Sequence, residues 1–196
     1  MTEEEIERRD SSTNTDSDRV LVTKRAVFRA LVELMAERDF DSITVGDILG
    51  RSGVSRTTFY RCFEDKYDVV NWSFKRFKNI RIQNKDQFYS FESSLLVMNG
   101  YLREYKDYFA RALRYRGQNS LRDYMYETNV EYMEQCWRER YGAVDGFGQE
   151  AMIRFAAAGM SKIVEEWILG GCAEPDEEVS AAIVALVPQV LREVLY

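Results

Sequence analysis

The sequence predicts an all-α fold, with a three-helix, helix-turn-helix head followed by a larger helical bundle. Three observations point there. Apolar residues recur at helical spacing through most of the 196 residues, with little strand-like alternation. No proline precedes Pro175, so no proline interrupts the helices before it. Near residue 50, two short helix patterns with caps flank a glycine, Gly53.

Residues 1–18 carry two bases and seven acids and include the low-complexity run 11–15. They are expected to form a disordered acidic arm. The first helix is expected from Thr23, as its cap, to Arg38, with Val27, Ala30, Leu31, Leu34 and Met35 on one apolar face. Asp39-Phe40-Asp41 ends it. A second helix over Val45–Arg51 has Thr44 as its cap and Asp47 three residues on, a capping box with Asp in place of Glu. Gly53 sits where a left-handed residue ends a helix. Ser55 caps a third helix from Arg56 to Cys62. Ile48, Leu49, Val54, Phe59 and Phe63 are placed inward, which leaves Arg56, Thr57, Thr58, Tyr60 and Arg61 on the outer side. A helix so placed can enter a major groove with its N-terminal residues nearest the bases. Asp65 opens a fourth helix from Lys66 to Ile80, with Tyr67, Val70, Phe74 and Phe77 in one stripe.

Further helices are expected near 92–116, 119–140, 148–169 and 176–195, with a kink at Pro188. The domains are then the arm at 1–18, the helix-turn-helix at 19–65, a connecting helix at 66–80 and a C-terminal effector and dimerisation domain at 81–196. The two last helices carry more apolar face than one small body can cover. A second copy would bury it as a four-helix bundle. Phe155, Met160, Ile163, Trp167, Ile183, Val187 and Val190 are the candidate contacts. Tyr101, Tyr105, Phe109, Tyr124 and Trp137 are candidates to line an effector pocket, although core packing accounts for the same aromatics.

Composition excludes much chemistry. The chain has no histidine, which removes Ser-His and Cys-His dyads and histidine zinc sites. The three cysteines, Cys62, Cys136 and Cys172, are far apart, so neither a disulfide framework nor a thiolate metal site is expected. No cofactor, no metal and no enzymatic activity are expected. Neither a signal peptide nor an apolar run of roughly 20 residues is present, so the expected location is cytoplasmic, without membrane contact. Net charge is −6, yet residues 19–80 hold twelve bases against eight acids. Positive charge therefore gathers where a phosphate-facing surface needs it.

The run Thr44-Val45-Gly46-Asp47-Ile48, then Ser52-Gly53-Val54-Ser55-Arg56-Thr57-Thr58-Phe59-Tyr60-Arg61-Cys62-Phe63-Glu64-Asp65-Lys66, resembles the signature of the TetR family. Gly53, Val54, Ser55, Thr58, Phe59, Tyr60, Phe63 and Lys66 fall at matching spacings. The match is strong over about the first 80 residues. Farther on, Tyr101-Leu102, Tyr105, Phe109, Leu113 and the run 165–171 are similar to the family's DhaS-like C-terminal type.

The resemblance implies that Thr44 holds a phosphate through its hydroxyl and N–H, and that Arg56, Thr57 and Thr58 face bases. It implies phosphate contacts from Tyr60 and Lys66, with Ser55 and Arg61 in the same surface. Cys62 stands where the family usually has His or Tyr, and Leu49 and Ser52 replace small alanines. The implied partners are double-stranded DNA with a palindromic operator, a second copy of the chain, and a small-molecule or protein effector. The implied function is a homodimeric repressor released by that effector. Three alternatives remain beside it: a DNA-binding nucleoid or division factor, a coactivator working through a protein partner, and an enzyme, which the missing histidine disfavours.

Overall fold

The computed structural model describes the backbone of residues 15–83 and 90–195, and the side chains of 19–75 and 90–195. Ten α-helices occur among the described residues: α1 Thr15–Glu37, α2 Val45–Ser52, α3 Arg56–Cys62, α4 Lys66–Gln83, α5 Phe91–Glu104, α6 Lys106–Arg114, α7 Leu121–Tyr141, α8 Phe147–Leu169, α9 Asp176–Leu186 and α10 Gln189–Arg192. A 3-10 turn, Phe40–Ser42, joins α1 to α2.

Several boundaries differ from the sequence expectation. The acidic arm lies outside the described residues up to 14, and α1 already begins at Thr15. Thr23 is therefore interior rather than a cap, and its hydroxyl donates to the Arg19 carbonyl one turn back at 3.0 Å. The long helix expected over 92–116 divides at Tyr105, whose backbone leaves helical values (φ −106°, ψ 28°). No glycine or proline marks that point in the sequence. Pro188 ends α9 outright rather than kinking it: Val187 and Pro188 are both extended, and α10 restarts at Gln189.

The chain divides into two compact units, residues 1–80 with 107–121 and residues 81–106 with 122–196. The stretch 107–121, assigned by sequence to the C-terminal domain, thus packs with the N-terminal helices. Charge is uneven along the chain. Residues 19–80 with 107–121 carry fifteen bases and nine acids, net +6. Residues 1–18 carry two bases and seven acids, which brings the first unit as a whole to net +1.

In the first unit, Val27, Phe28, Leu31, Leu34 and Met35 of α1 are buried with Ile48 of α2 and Phe59 and Phe63 of α3. Tyr108 of α6 packs edge-on against Phe28, with ring centroids 5.3 Å apart. The α4 stripe has Val70 and Phe74 buried, while the Phe77 side chain falls outside the described set. In the second unit, Asn99 of α5 and Ser180 of α9 are fully buried, and the amide donates to the hydroxyl at 2.9 Å. Arg103 fastens the α8–α9 turn, bonding Asp176 at 2.7 Å and the Cys172 carbonyl at 2.7 Å. Buried Glu165 pairs with Arg122. Among the described residues no helix is long and apolar enough to cross a membrane.

Candidate nucleic-acid interface

The turn between α2 and α3 follows from local chemistry. Gly53 adopts φ +68° and ψ 9°, and its N–H donates to the Leu49 carbonyl at 3.0 Å. Only glycine takes that conformation cheaply. Ser55, extended, then caps α3, its hydroxyl oxygen accepting the Thr58 N–H at 3.2 Å. Phe59 and Cys62 turn inward and are buried. Leu49 and Val54, expected inside, are only half-buried.

Because α3 buries one side, the other carries its chemistry to solvent. Arg56, Thr57, Tyr60 and Arg61 are exposed, Tyr60 by 50%. The Arg56 guanidinium lies 5.8 Å from the Tyr60 ring centroid, a cation–π distance one helical turn away. Thr58 is half-buried, and its hydroxyl is 2.8 Å from that of Ser55. Both hydroxyls therefore serve the cap first. Cys62 is buried, so the departure from the family's usual His or Tyr leaves no thiol on the outer face.

Two of the anchor positions are occupied from within. At α2 the capping box is complete: the Thr44 N–H donates to Asp47 Oδ2 at 2.8 Å, the Thr44 hydroxyl to the same oxygen at 2.7 Å, and the Asp47 N–H to Thr44 Oγ1 at 3.2 Å. The two Thr44 groups expected to face a phosphate thus both face Asp47. The N–H groups of Val45 and Gly46, first in the helix, have no intrahelical acceptor and are the remaining anion donors there. Sequence reasoning missed them because a backbone donor carries no residue signature.

At α4 the Lys66 ammonium donates to the carbonyls of Phe40, Ile43 and Asp41 at 2.8, 2.8 and 3.1 Å. All three of its protons are used, and burial pushes its pKa down against the pull of Asp41 and Asp65. The ammonium expected to meet a phosphate is thus engaged within the protein, where it brackets the turn that leads into α2.

The bonds from Thr44, followed by Arg38 at 2.9 Å, hold the Asp47 carboxyl well below the usual carboxylate range. A depressed folded pKa contributes stability that is present above the unfolded value, about 3.9, and is lost as pH falls toward the folded one. Asp47→Asn should therefore lower the melting temperature at pH 7, and the gap to wild type should narrow progressively below about pH 4. Thermal melts from pH 7 to pH 3 check this, and a gap that is constant with pH would contradict it.

The aromatic set expected to line a pocket is not gathered in one unit. Phe109 is fully buried in the first unit, ring to ring with Tyr108 at 5.0 Å. Tyr101, Tyr105, Tyr124 and Trp137 belong to the second. Tyr101 and Trp137 are buried, and the Tyr101 and Tyr105 rings lie 5.0 Å apart. A groove of about 350 Å³ runs instead between α8 and α9, with Ile163, Trp167, Val179 and Ala182 beneath a rim of Glu166, Glu174 and Glu178.

Of the expected interface residues, Met160, Trp167, Ile183 and Val187 are buried within their own unit, Ile163 is half-buried, and Phe155 and Val190 are exposed. Helical spacing could not decide which apolar side faced inward. Among the described residues, exposed apolar positions on α8 and α9 include Phe155, Ala158 and Gly159, and Ala181, Ala182, Ala185 and Leu186, beside Phe147 and Leu169.

Comparison with known proteins now decides the family. A model of bacterial regulatory proteins of the tetR family matches residues 22–71, and a TetR-type transcriptional regulator C-terminal region matches residues 89–189. The chain belongs to the TetR family. TetR-family proteins are DNA-binding transcriptional regulators rather than enzymes, and they typically dimerise. One curated relative, the HTH-type dhaKLM operon transcriptional activator DhaS of Lactococcus lactis, is 24% identical over 91 residues, 46% of this chain. The chain spans about half the length of that relative, 49%.

Among solved structures, a dihydroxyacetone kinase operon activator DhaS superposes with a TM-score of 0.62 at 18% identity, covering 89% of this chain and 98% of that one. A TetR transcriptional regulator from Streptococcus agalactiae 2603V gives 0.56 at 22%, covering 89% and 98%. The TetR-family repressor AlkX from Dietzia sp. strain DQ12-45-1b gives 0.52 at 23%, covering 87% and 98%. These similarities establish the TetR fold, including the DhaS-like C-terminal type.

Proposed function

We propose that this TetR-family protein is a homodimeric regulator that binds a roughly palindromic operator and represses from it until an effector releases it. One observation carries the reading. The face of α3 that presents Arg56, Thr57, Tyr60 and Arg61 stands on the segment 19–80 with 107–121, which is net +6 in a chain of net −6. Thr58 and Ser55 shape the start of that helix. The Val45 and Gly46 amides and the Tyr60 phenol supply phosphate anchors. A protein working on DNA in this way acts in the cytoplasm.

The dimer contact is placed on Phe155, Ala158 and Gly159 with Ala181, Ala182, Ala185 and Leu186. Small residues there permit close helix approach, and Phe155 (75% exposed) and Leu186 (67%) supply the apolar area.

The test is selection of binding sites from random duplex DNA by the purified protein. Two related half-sites, spaced by one helical turn of about 10 base pairs or a multiple, support the reading. No enrichment by a protein that sediments as a dimer would overturn it. Phe155→Glu with Leu186→Glu is expected to give a folded monomer by sedimentation. Its affinity for the selected site should be at least ten times weaker, because the second half-site is no longer tethered.

A second reading has its own support. The relative DhaS is named an activator, and the C-terminal match is of that type. On this reading the second unit answers to a protein partner instead of a small molecule. A promoter reporter with and without the regulator separates the signs of regulation.

A further inference from the structure

We infer that Arg111 and Arg114, at the end of α6, form a second phosphate-binding element that widens the DNA footprint of each head. The inference rests on the DNA-binding reading above and adds an element that the helix-turn-helix does not contain.

Placement is the first argument. Tyr115, just past α6, stacks on Tyr67, the second residue of α4, with ring centroids 4.4 Å apart. Phe40 meets both rings edge-on, at 5.3 and 6.2 Å. Lys66, the first residue of α4, holds the carbonyls of residues 40, 41 and 43, immediately before α2 begins. The C-terminal end of α6 therefore meets the N-terminal end of α4 and the 3-10 turn that leads into α2. The start of α4 is an end at which the helix dipole attracts anions. All of these residues belong to one compact unit, so the geometry moves with the head.

Charge is the second argument. Arg111 and Arg114 lie three residues apart, on one side of α6. With Asp39, Asp41, Ser42 and Tyr115 they border an open groove of about 360 Å³. Arg114 is exposed and Arg111 half-exposed. Asp39 and Asp41 share the groove, and the described residues show no ion pair between either carboxylate and either guanidinium. The carboxylates weaken the local field without holding the arginines. Residues 107–121 contribute three bases and one acid to the unit. In the second unit, by contrast, residues 122–195 hold six bases and fourteen acids. Folding thus returns a basic segment to the unit that carries α3.

The experiment titrates binding to the site selected by the wild-type protein across a range of potassium chloride concentrations. Arg111→Gln with Arg114→Gln is compared with the charge-keeping pair Arg111→Lys with Arg114→Lys, and with Arg140→Gln on the exposed end of α7. Each lost phosphate contact should reduce the slope of log K against log salt by about 0.9. The glutamine pair should therefore show a reduction of about 1.8 per protomer, with sequence preference unchanged. The lysine pair and Arg140→Gln should keep the wild-type slope within about 0.5. An unchanged slope in a folded glutamine pair overturns this inference alone. A wild-type protein that selects no site overturns the DNA-binding reading, and this inference with it. Equal slope losses in the glutamine and lysine pairs would show packing damage rather than lost phosphate contacts, and would also overturn it.

Discussion

Arg56→Ala is expected to lose roughly a thousandfold in affinity for the selected operator while folding as wild type does. The residue opens α3 and is exposed, and among the described residues its guanidinium lies against the Tyr60 ring at 5.8 Å. Its removal should therefore leave the Phe59–Phe63 core untouched. A bidentate arginine–guanine contact discriminates by about 2 kcal/mol, and a dimer on a palindrome makes it twice, so the expected loss is about 4 kcal/mol. Specificity should relax at one symmetric base position and hold elsewhere. Fluorescence anisotropy on wild-type and single-base-variant sites measures both quantities. A loss spread evenly over all sequences would make Arg56 a phosphate contact, and no loss would remove it from the interface.

Lys66→Met is expected to lower stability by about 3 kcal/mol and to leave the DNA affinity of the folded fraction within about threefold. The family signature placed this lysine on a phosphate, whereas the fold gives its ammonium three carbonyls of the α1–α2 connection. Hydrogen bonds to a charged group contribute about 1.5–3 kcal/mol each. The group is half-exposed, so the three together are discounted to about 3 kcal/mol. Methionine keeps the aliphatic stem over the Phe40 and Tyr67 rings, where the ammonium lies 4.8 and 5.3 Å from the ring centroids. Denaturant unfolding paired with DNA titration separates the two roles. Wild-type stability with a large affinity loss would restore the phosphate contact.

Both predictions depend on how much local sequence can disclose. The turn at Gly53, the caps at Thr44 and Ser55 and the inward set Ile48, Phe59 and Phe63 were legible from sequence, because each depends on neighbours within four residues. A left-handed backbone needs glycine, a cap needs a short polar side chain, and a 3.6-residue period puts one face inward. The exposed faces of α3 followed by subtraction.

Tertiary structure decided what depends on partners distant in sequence. Lys66 reaches back 26 residues to the Phe40 carbonyl, and nothing near position 66 announces that. Met160, Trp167, Ile183 and Val187 are as apolar as Phe155 and Leu186. Only packing sorts them into core and exposed face, because a helix apolar on several sides has no single direction in its pattern. The same holds for α6, whose aromatic ring at Tyr108 finds Phe28 and Ser73 of the head. Sequence by itself determined the family, the helix-turn-helix and the exposed face of α3, since these are local chemistry repeated at fixed spacing. Which donors of the head are already bonded from within, which apolar side chains stay exposed and which helices pack in the first unit were decided by the fold, since each depends on long-range competition for the same few donors, acceptors and apolar faces.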